Sequence, residues 1–255
     1  MRLLLVLVAT VCLFIGCGTK QDTKKPGVTF EMKAFRLESE NGCKGDTMAC
    51  ASYTIEYPVF TGLSDAVNDT LKVKIAAAVD TGNPESDTLS FEAAGRSFIE
   101  DYKSTKDEFP DGEMGWYYSA KVAVNILSDS LISLSADNEY FTGGAHGGYG
   151  TYFINLDPST GKSITLHDVL KPGFEETLRQ IGEEEFKKSV EEINDSTSYA
   201  DLGFEFPDDK FQLNRNYGFT DKGIRFVFNV YEIGPYVLGA REIMIPYDKI
   251  KNWLK

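Results

Sequence analysis

The side chains with the greatest capacity for chemistry lie between positions 140 and 150, where the chain reads Tyr-Phe-Thr-Gly-Gly-Ala-His-Gly-Gly-Tyr-Gly. His146 is one of only two histidines, and an imidazole can serve as base, metal ligand or hydrogen-bonding platform. Gly143, Gly144, Gly147 and Gly148 surround it and permit positive φ and close backbone approach. Two readings stay open. The stretch is either a tight loop between strands with His146 hydrogen-bonded inside, or a binding lip. In the second case loop N–H groups at Gly143 and Gly144, with Tyr140, Phe141, His146 and Tyr149, would meet a sugar or a protein partner, since tyrosine offers rigid amphipathic contact at low entropic cost.

Catalytic constellations fail on their own requirements. A serine hydrolase needs a G-x-S-x-G elbow, and none occurs. His146-Gly147-Gly148 has the look of an oxyanion-loop fragment without a nucleophile beside it. Gly161-Lys162-Ser163 has the ending of a phosphate loop, but Leu156 stands where that loop needs its first glycine. Zinc hydrolysis needs three protein ligands and an open position; His146, His167 and Asp168 can be combined only on paper, because His167-Asp168 reads as the turn into a helix. Two carboxylates suffice for a glycosidase, yet no pair among the acids is singled out. No catalytic residue, no metal and no cofactor is therefore expected.

Four cysteines divide by position. Arg2 is followed by an apolar run, Leu3 to Ile15, too short to span a bilayer as a helix, which takes about 20 residues. A charged start, a short apolar core and a small residue before a cut describe an export signal over residues 1–16. Leu13-Phe14-Ile15-Gly16-Cys17 looks like a bacterial lipobox, with Cys17 the acylated first residue of the mature protein; the rival is a cleaved signal without lipid. Residues 17–27 form a polar flexible tether. The absence of an acid directly after Cys17 favours an outer-membrane lipoprotein by resemblance to known sorting rules, so the expected location is the bacterial cell envelope. Cys43 and Cys50 remain in the body, flanking a turn-like stretch. In an oxidising compartment they are expected to form a disulfide, with a metal site as the weaker rival.

The body these residues sit on is acidic: 26 Lys and Arg against 39 Asp and Glu, a formal charge of −13. That balance excludes nucleic acid as a partner, because phosphate backbones are held by clustered cations. With 42% apolar and 13% aromatic residues, the chain can bury a real core and is not disordered.

Periodicity supplies the elements. Val28–Leu37 alternates and then shifts phase, predicting a strand with a bulge or bend. Tyr53, Ile55, Tyr57 and Val59 give a second strand pairing with it, Pro58 suiting an edge or strand end. Ser64 caps a helix with Leu63, Val67, Leu71, Ile75 and Val79 on one face, and Ser86 or Asp87 caps another bearing Phe91, Phe98, Ile99 and Tyr102. Strands follow at Tyr118–Ile126 and Leu131–Ala136. A hairpin is expected between Tyr149–Leu156 and Lys162–Leu166. A helix with Phe174, Leu178, Ile181, Phe186 and Val190 buried carries a solvated acidic face that includes Glu191 and Glu192. Phe211–Leu213, Ile224–Tyr231 and Arg241–Ile245 resume strand character, and a short helix closes the chain. The expected class is α+β: antiparallel sheets built from hairpins with inserted helices, in two similar-sized halves packed together.

The 140–150 block, Asn155–Lys162, Leu166-His167-Asp168, Tyr231–Tyr236 and Ile245-Pro246-Tyr247 together resemble a known domain pair. It is the extracytoplasmic pair of RsiV-type lysozyme-sensing anti-sigma factors, similar also to the non-catalytic front part of PdaC-type peptidoglycan deacetylases. The resemblance implies a PdaC-like domain over 28–148 and an RsiV-like domain over 149–255. It implies a recognition role rather than catalysis, with a lysozyme-like protein or peptidoglycan as partner and the membrane held through the N-terminal lipid. The deacetylases' metal-dependent catalytic domain has no counterpart in these motifs, so that activity is not carried over.

Overall fold

The computed structural model describes residues 27–39, 43, 50–86, 90–109, 115–190 and 197–255. The expected signal, lipid attachment at Cys17 and most of the tether lie outside the described residues, as do Asp87, Glu191 and Glu192.

Eight strands and five helices occur among them. Strands β1 (Thr29–Glu38) and β2 (Ala51–Thr61) form an antiparallel pair, and the Cys43–Cys50 disulfide lies in the connection between them. Helix α1 (Asp65–Thr81) follows, with the Ser64 hydroxyl accepting from the Val67 N–H. Its apolar face (Val67, Leu71, Ile75, Val79) is buried as the i+4 spacing requires. Helix α2 (Phe91–Glu108) is capped by Ser90, which accepts from the Ala93 N–H; the expected cap Ser86 instead bonds the Thr81 hydroxyl at 2.6 Å. Strands β3 (Trp116–Leu127), β4 (Ile132–Phe141) and β5 (Gly148–Leu156) complete a sheet in the order β1-β2-β3-β4-β5.

Three features differ from the periodicity reading. The β2–β3 pairing is parallel, so the two helices form a crossover connection instead of separating antiparallel hairpins. β1 keeps an unbroken register with β2; the bulge sits in β3, between Val124 and Ile126. The phase shift in β1 reflects its position at the sheet edge, where Thr29 to Ala34 are exposed on both faces. Third, β5 pairs with β4, and the expected hairpin partner at 162–166 supplies one bridge, Leu156 to Ser163. The first sheet thus continues past the division expected at 148/149, to Leu156. Pro58 falls where β2 is paired on the β1 side alone, because its ladder with β3 ends at Glu56; the missing N–H costs nothing there.

The C-terminal half holds α3 (Leu166–Val169), α4 (Glu175–Lys188) and a second sheet of β6 (Tyr217–Phe219), β7 (Gly223–Phe228) and β8 (Arg241–Pro246), ending in α5 (Tyr247–Ile250). Phe211 is buried in this half's core but, with Leu213, lies outside any strand. Strand β7 stops at Phe228, three residues short of the expected end. The core is dominated by aromatics: Phe186 meets Tyr199, Phe204, Phe206, Phe211 and Phe228 at ring separations of 5.1 to 6.0 Å, mostly edge to face, the arrangement ring quadrupoles favour. The acidic face of α4 is laced with ion pairs, Glu176 and Glu183 to Arg179 and Glu184 and Glu185 to Lys249.

The halves meet through a polar seam. One face of the first sheet carries α1 and α2 over the core of Ile55, Ala120, Val122, Leu134 and Ile154. The opposite face offers Ser133, Phe153 and Asn155 to β6. The Ser133 hydroxyl donates to Asn155 Oδ1 (2.8 Å) and accepts from the Phe219 N–H (3.1 Å), and Asn155 Nδ2 donates to the Tyr217 carbonyl (2.9 Å). Gly218 lies against the Phe153 ring so closely that a Cβ there would overlap it. At the outer edge of β5, the Thr151 N–H donates to Asn229 Oδ1 (2.8 Å) and its carbonyl accepts from Asn216 Nδ2 (2.7 Å) and Asn229 Nδ2 (3.1 Å). Side-chain amides thus satisfy backbone groups that an open edge would leave for another chain.

Candidate functional site

The β4–β5 hairpin carries every residue singled out in the 140–150 block. Tyr140 and Phe141 end β4, Gly143 and Gly144 form the tip with φ of 89° and 91°, and Tyr149 begins β5. Those φ values are ones that residues with a Cβ adopt at a cost. The loop is therefore a hairpin tip and not a buried crossing, and His146 is exposed on it.

The tip separates these residues into three environments. Tyr140 stacks on Tyr118 at 6.2 Å and Phe141 on Tyr117 at 6.4 Å, one pair on each face of the sheet. Gly143 and Gly144 line a small pocket of about 270 Å³ with Tyr102, Phe109 and Trp116. His146 and Tyr149 reach the C-terminal half and join Tyr231, which the periodicity placed at a strand end, and Tyr236. The His146 ring stacks on Tyr236 at 4.0 Å and 18°. Tyr149 meets Tyr236 edge-on at 6.1 Å, and its hydroxyl accepts from the Ala240 N–H at 3.3 Å.

The hydrogen bonds of His146 fix its roles. Nδ1 lies 2.8 Å from the Gly147 carbonyl; a carbonyl only accepts, so Nδ1 carries the proton. In the neutral ring Nε2 is then an acceptor, 3.3 Å from the Tyr231 hydroxyl, which donates to it.

Tyr231 is held in an unusual state. Its φ is 67°, a left-handed conformation costing about 1–3 kcal/mol for a side chain of this size, and it remains 62% exposed. The strain is imposed by a turn: the Asn229 N–H donates to Glu232 Oε2 (2.8 Å), and Asn214 Nδ2 donates to Glu232 Oε1 (2.7 Å). Asn229 is tied in turn to Thr151. Val237, which follows Tyr236 in the chain, is 86% exposed. Tyr231 and Tyr236 frame the Tyr-Glu-Ile-Gly-Pro-Tyr motif, which was the available signal for this surface.

The remaining candidates are structural. Asp168 closes a capping box with Thr165, whose backbone N–H and hydroxyl hold its carboxyl below the usual range. His167 is exposed, 3.9 Å from Glu175, and packs edge-on to Phe174. Among the described residues no group of three His, Cys, Asp or Glu side chains is placed to hold a metal. Cys43 and Cys50 are bonded to each other.

A larger cleft, about 1180 Å³, runs between the halves. Its walls are the turn after α1 (Asn83, Glu85), strand β5 (Tyr152, Asn155), and the segment Gln212–Tyr217. Asn229 and Glu232 also line it, so the turn that strains Tyr231 borders both the cleft and the aromatic surface.

Residues 45–149 match the family model described as deacetylase PdaC, and residues 167–248 match that of a protein of unknown function, DUF3298. The 140–150 hairpin closes the first match and the Asp157–Lys162 turn lies between the two. A member of the DUF3298 family from Bacteroides fragilis is similar in structure, with a TM-score of 0.68 at 21% identity, covering 91% of this chain and 95% of its own. A DUF3298 family protein from Pseudomonas aeruginosa gives 0.61 at 23% identity, covering 91% and 96%. At these identities the likeness shows the fold. No curated protein matches the chain. The paired resemblance read from the motifs, a PdaC-like region followed by a second domain of a different family, is thereby shown.

Proposed function

We propose that this protein is a binding module of the bacterial cell envelope, anchored by lipid at Cys17 to the outer membrane, that grips a basic wall-active protein of the lysozyme class. The contact surface is the one built jointly by His146 and Tyr149 from one half and Tyr231, Tyr236 and Val237 from the other. The observation that carries this reading is Tyr231: a large side chain held in a left-handed backbone and 62% exposed, whose ring and hydroxyl meet only His146 and Tyr236 of the same surface among the described residues. Strain of this kind persists where surrounding structure imposes it and concentrates at ligand clamps. Exposed Tyr clusters with apolar neighbours act as anchors in protein interfaces. The net charge of −13 supports a basic partner through faster, salt-dependent association.

In this reading the module has no catalytic output. The test is gel filtration of residues 28–255 with a basic lysozyme. A complex is expected at low salt that weakens as salt rises and is lost in Tyr231→Ala/Tyr236→Ala; a complex indifferent to both changes would place the contact elsewhere.

A further inference from the structure

We infer that the outer edge of β1 is an interface, and that its occupant is β1 of a second copy of this chain, paired antiparallel about a two-fold axis at Met32. This contact is independent of the aromatic surface, which draws on the far strands of the order β1-β2-β3-β4-β5.

The two edges of the first sheet differ. That of β5 is taken up at Thr151 by Asn216 and Asn229 and at Asn155 by the Ile164 N–H. That of β1 is open among the described residues. The Ser39 N–H donates to the Ala51 carbonyl at 2.9 Å, one step beyond the Glu38–Ser52 pair in an unbroken register. Hydrogen-bonded and non-hydrogen-bonded pairs alternate in an antiparallel ladder, so the odd-numbered residues of β1 turn their backbone groups to β2 and the even-numbered ones turn theirs outward. The N–H and C=O of Phe30, Met32 and Ala34 therefore face away from β2, and no described residue bonds them. Because side chains alternate across a sheet, the same three residues also form one apolar row, with Phe30 43% and Met32 46% exposed.

Charge selects both the partner and the register. An edge lysine ordinarily keeps strands apart. Lys33 instead stands on the same face as Glu31, with which it forms an ion pair at 3.0 Å. In a two-fold antiparallel pair centred on Met32, Glu31 of each copy falls opposite Lys33 of the other. Phe30 falls opposite Ala34, and outward backbone groups meet outward backbone groups. Centring on Glu31 or on Lys33 sets like charges opposite each other, which is destabilising. Centring on Ala34 sets Glu31 against Leu37 and Lys33 against Phe35. Of the centres within the exposed stretch Thr29–Ala34, only Met32 places opposite charges together. The edge is thus complementary to itself, as a two-fold interface requires.

The experiment is sedimentation velocity of residues 18–255 at concentrations rising to about 1 mM, since a contact of one strand belongs with weak interfaces. The wild type is expected to pass from monomer to dimer. Lys33→Glu and Glu31→Lys are each expected to weaken association by about tenfold or more, through two like-charge pairs per dimer. Both side chains are more than half exposed, so these variants fold. An equimolar mixture of the two is expected to regain association, because each chain then faces the opposite charge. Met32→Pro removes an N–H that serves nothing in the monomer and is expected to abolish dimers while keeping the circular dichroism of the folded chain. On oxidation Met32→Cys is expected to crosslink to its own copy and Ala34→Cys is not, since that position lies opposite Phe30. A wild type that stays monomeric throughout overturns the assignment and leaves the edge to a strand of a different protein. Dimers indifferent to both charge variants, no recovery on mixing them, or crosslinking of Ala34→Cys in preference to Met32→Cys overturns it equally.

Discussion

The His146 imidazole lies 4.0 Å from the Tyr236 ring and 18° from parallel, a contact between residues 90 positions apart that links the β4–β5 hairpin to the C-terminal half. Such pairs contribute about 0.5–1.5 kcal/mol beyond their area. A double-mutant cycle over His146→Ala and Tyr236→Ala, read by urea unfolding, is expected to return a coupling in that range. His146→Phe keeps the stack and is expected to keep the stability; a coupling of zero would mean the two rings are neighbours without interaction.

The seam predicts a larger effect. Ser133→Ala removes the nearer of two acceptors of the Phe219 N–H, leaving Asn155 Oδ1 at 3.5 Å in place of Ser133 Oγ at 3.1 Å, and weakening a buried hydrogen bond in this way costs about 1 kcal/mol. Gly218→Ala drives a methyl into Phe153, at a cost of about 1–3 kcal/mol for overpacking. Both are expected to lower the unfolding midpoint. Increased amide exchange of β6 relative to β2 would localise the damage to the seam; uniform exchange would not.

Closing the loop between Cys43 and Cys50 contributes about 2.5 kcal/mol in the chain-entropy treatment. Cys43→Ala/Cys50→Ala is expected to melt about 5–10 °C lower, on the scale of ~2–4 °C per kcal/mol for a domain of this size. Reductant should lower the wild type equally and leave the variant unchanged. Equal melting of both proteins would show that the bond constrains little in the unfolded chain.

Acid should weaken the C-terminal half. Hydrogen bonds from Arg179, then Gln180, hold Glu176 at about 2. Partial burial pushes Glu183 up, but bonds from Tyr199 and Arg179 outweigh it and its carboxyl is lowered. A carboxyl with a depressed folded value stabilises above its unfolded value, near 4.3, and that contribution disappears as pH falls toward the folded value. The urea midpoint is therefore expected to fall between about pH 4.5 and 2, less steeply in Arg179→Met. The exposed location of Glu176 keeps the effect modest.

Much of the fold is legible in local chemistry. Ser64 and the i+4 apolar row set α1, and alternation set β2 and most of β3 to β5. What periodicity does not encode is the partner of each edge. The pattern of Ile224 to Tyr231 continues past Phe228, yet the strand stops because Asn229 turns its amide to Thr151, 78 residues away. That long-range bond converts Tyr231 from a strand residue into a strained, exposed one. It explains why the hairpin half of the surface, His146 and Tyr149, was readable from residue type while Tyr231 and Tyr236 were visible only as part of a motif. Alternation is equally silent on strand direction, hence the parallel β2–β3 pair. The expected caps of α2, Ser86 or Asp87, both precede the observed one, Ser90, because the helix starts at Phe91, buried at its first turn.

The most direct measurement of the central claim is the affinity of residues 28–255 for a basic lysozyme, at low and high salt, in wild type and in Tyr231→Ala. The expected result is tight binding at low salt, weakened by salt, and a loss of at least tenfold on replacing Tyr231, with the variant still folded because that side chain is 62% exposed. Undetectable binding by the wild type at low salt, or equal affinity in the variant, would contradict it.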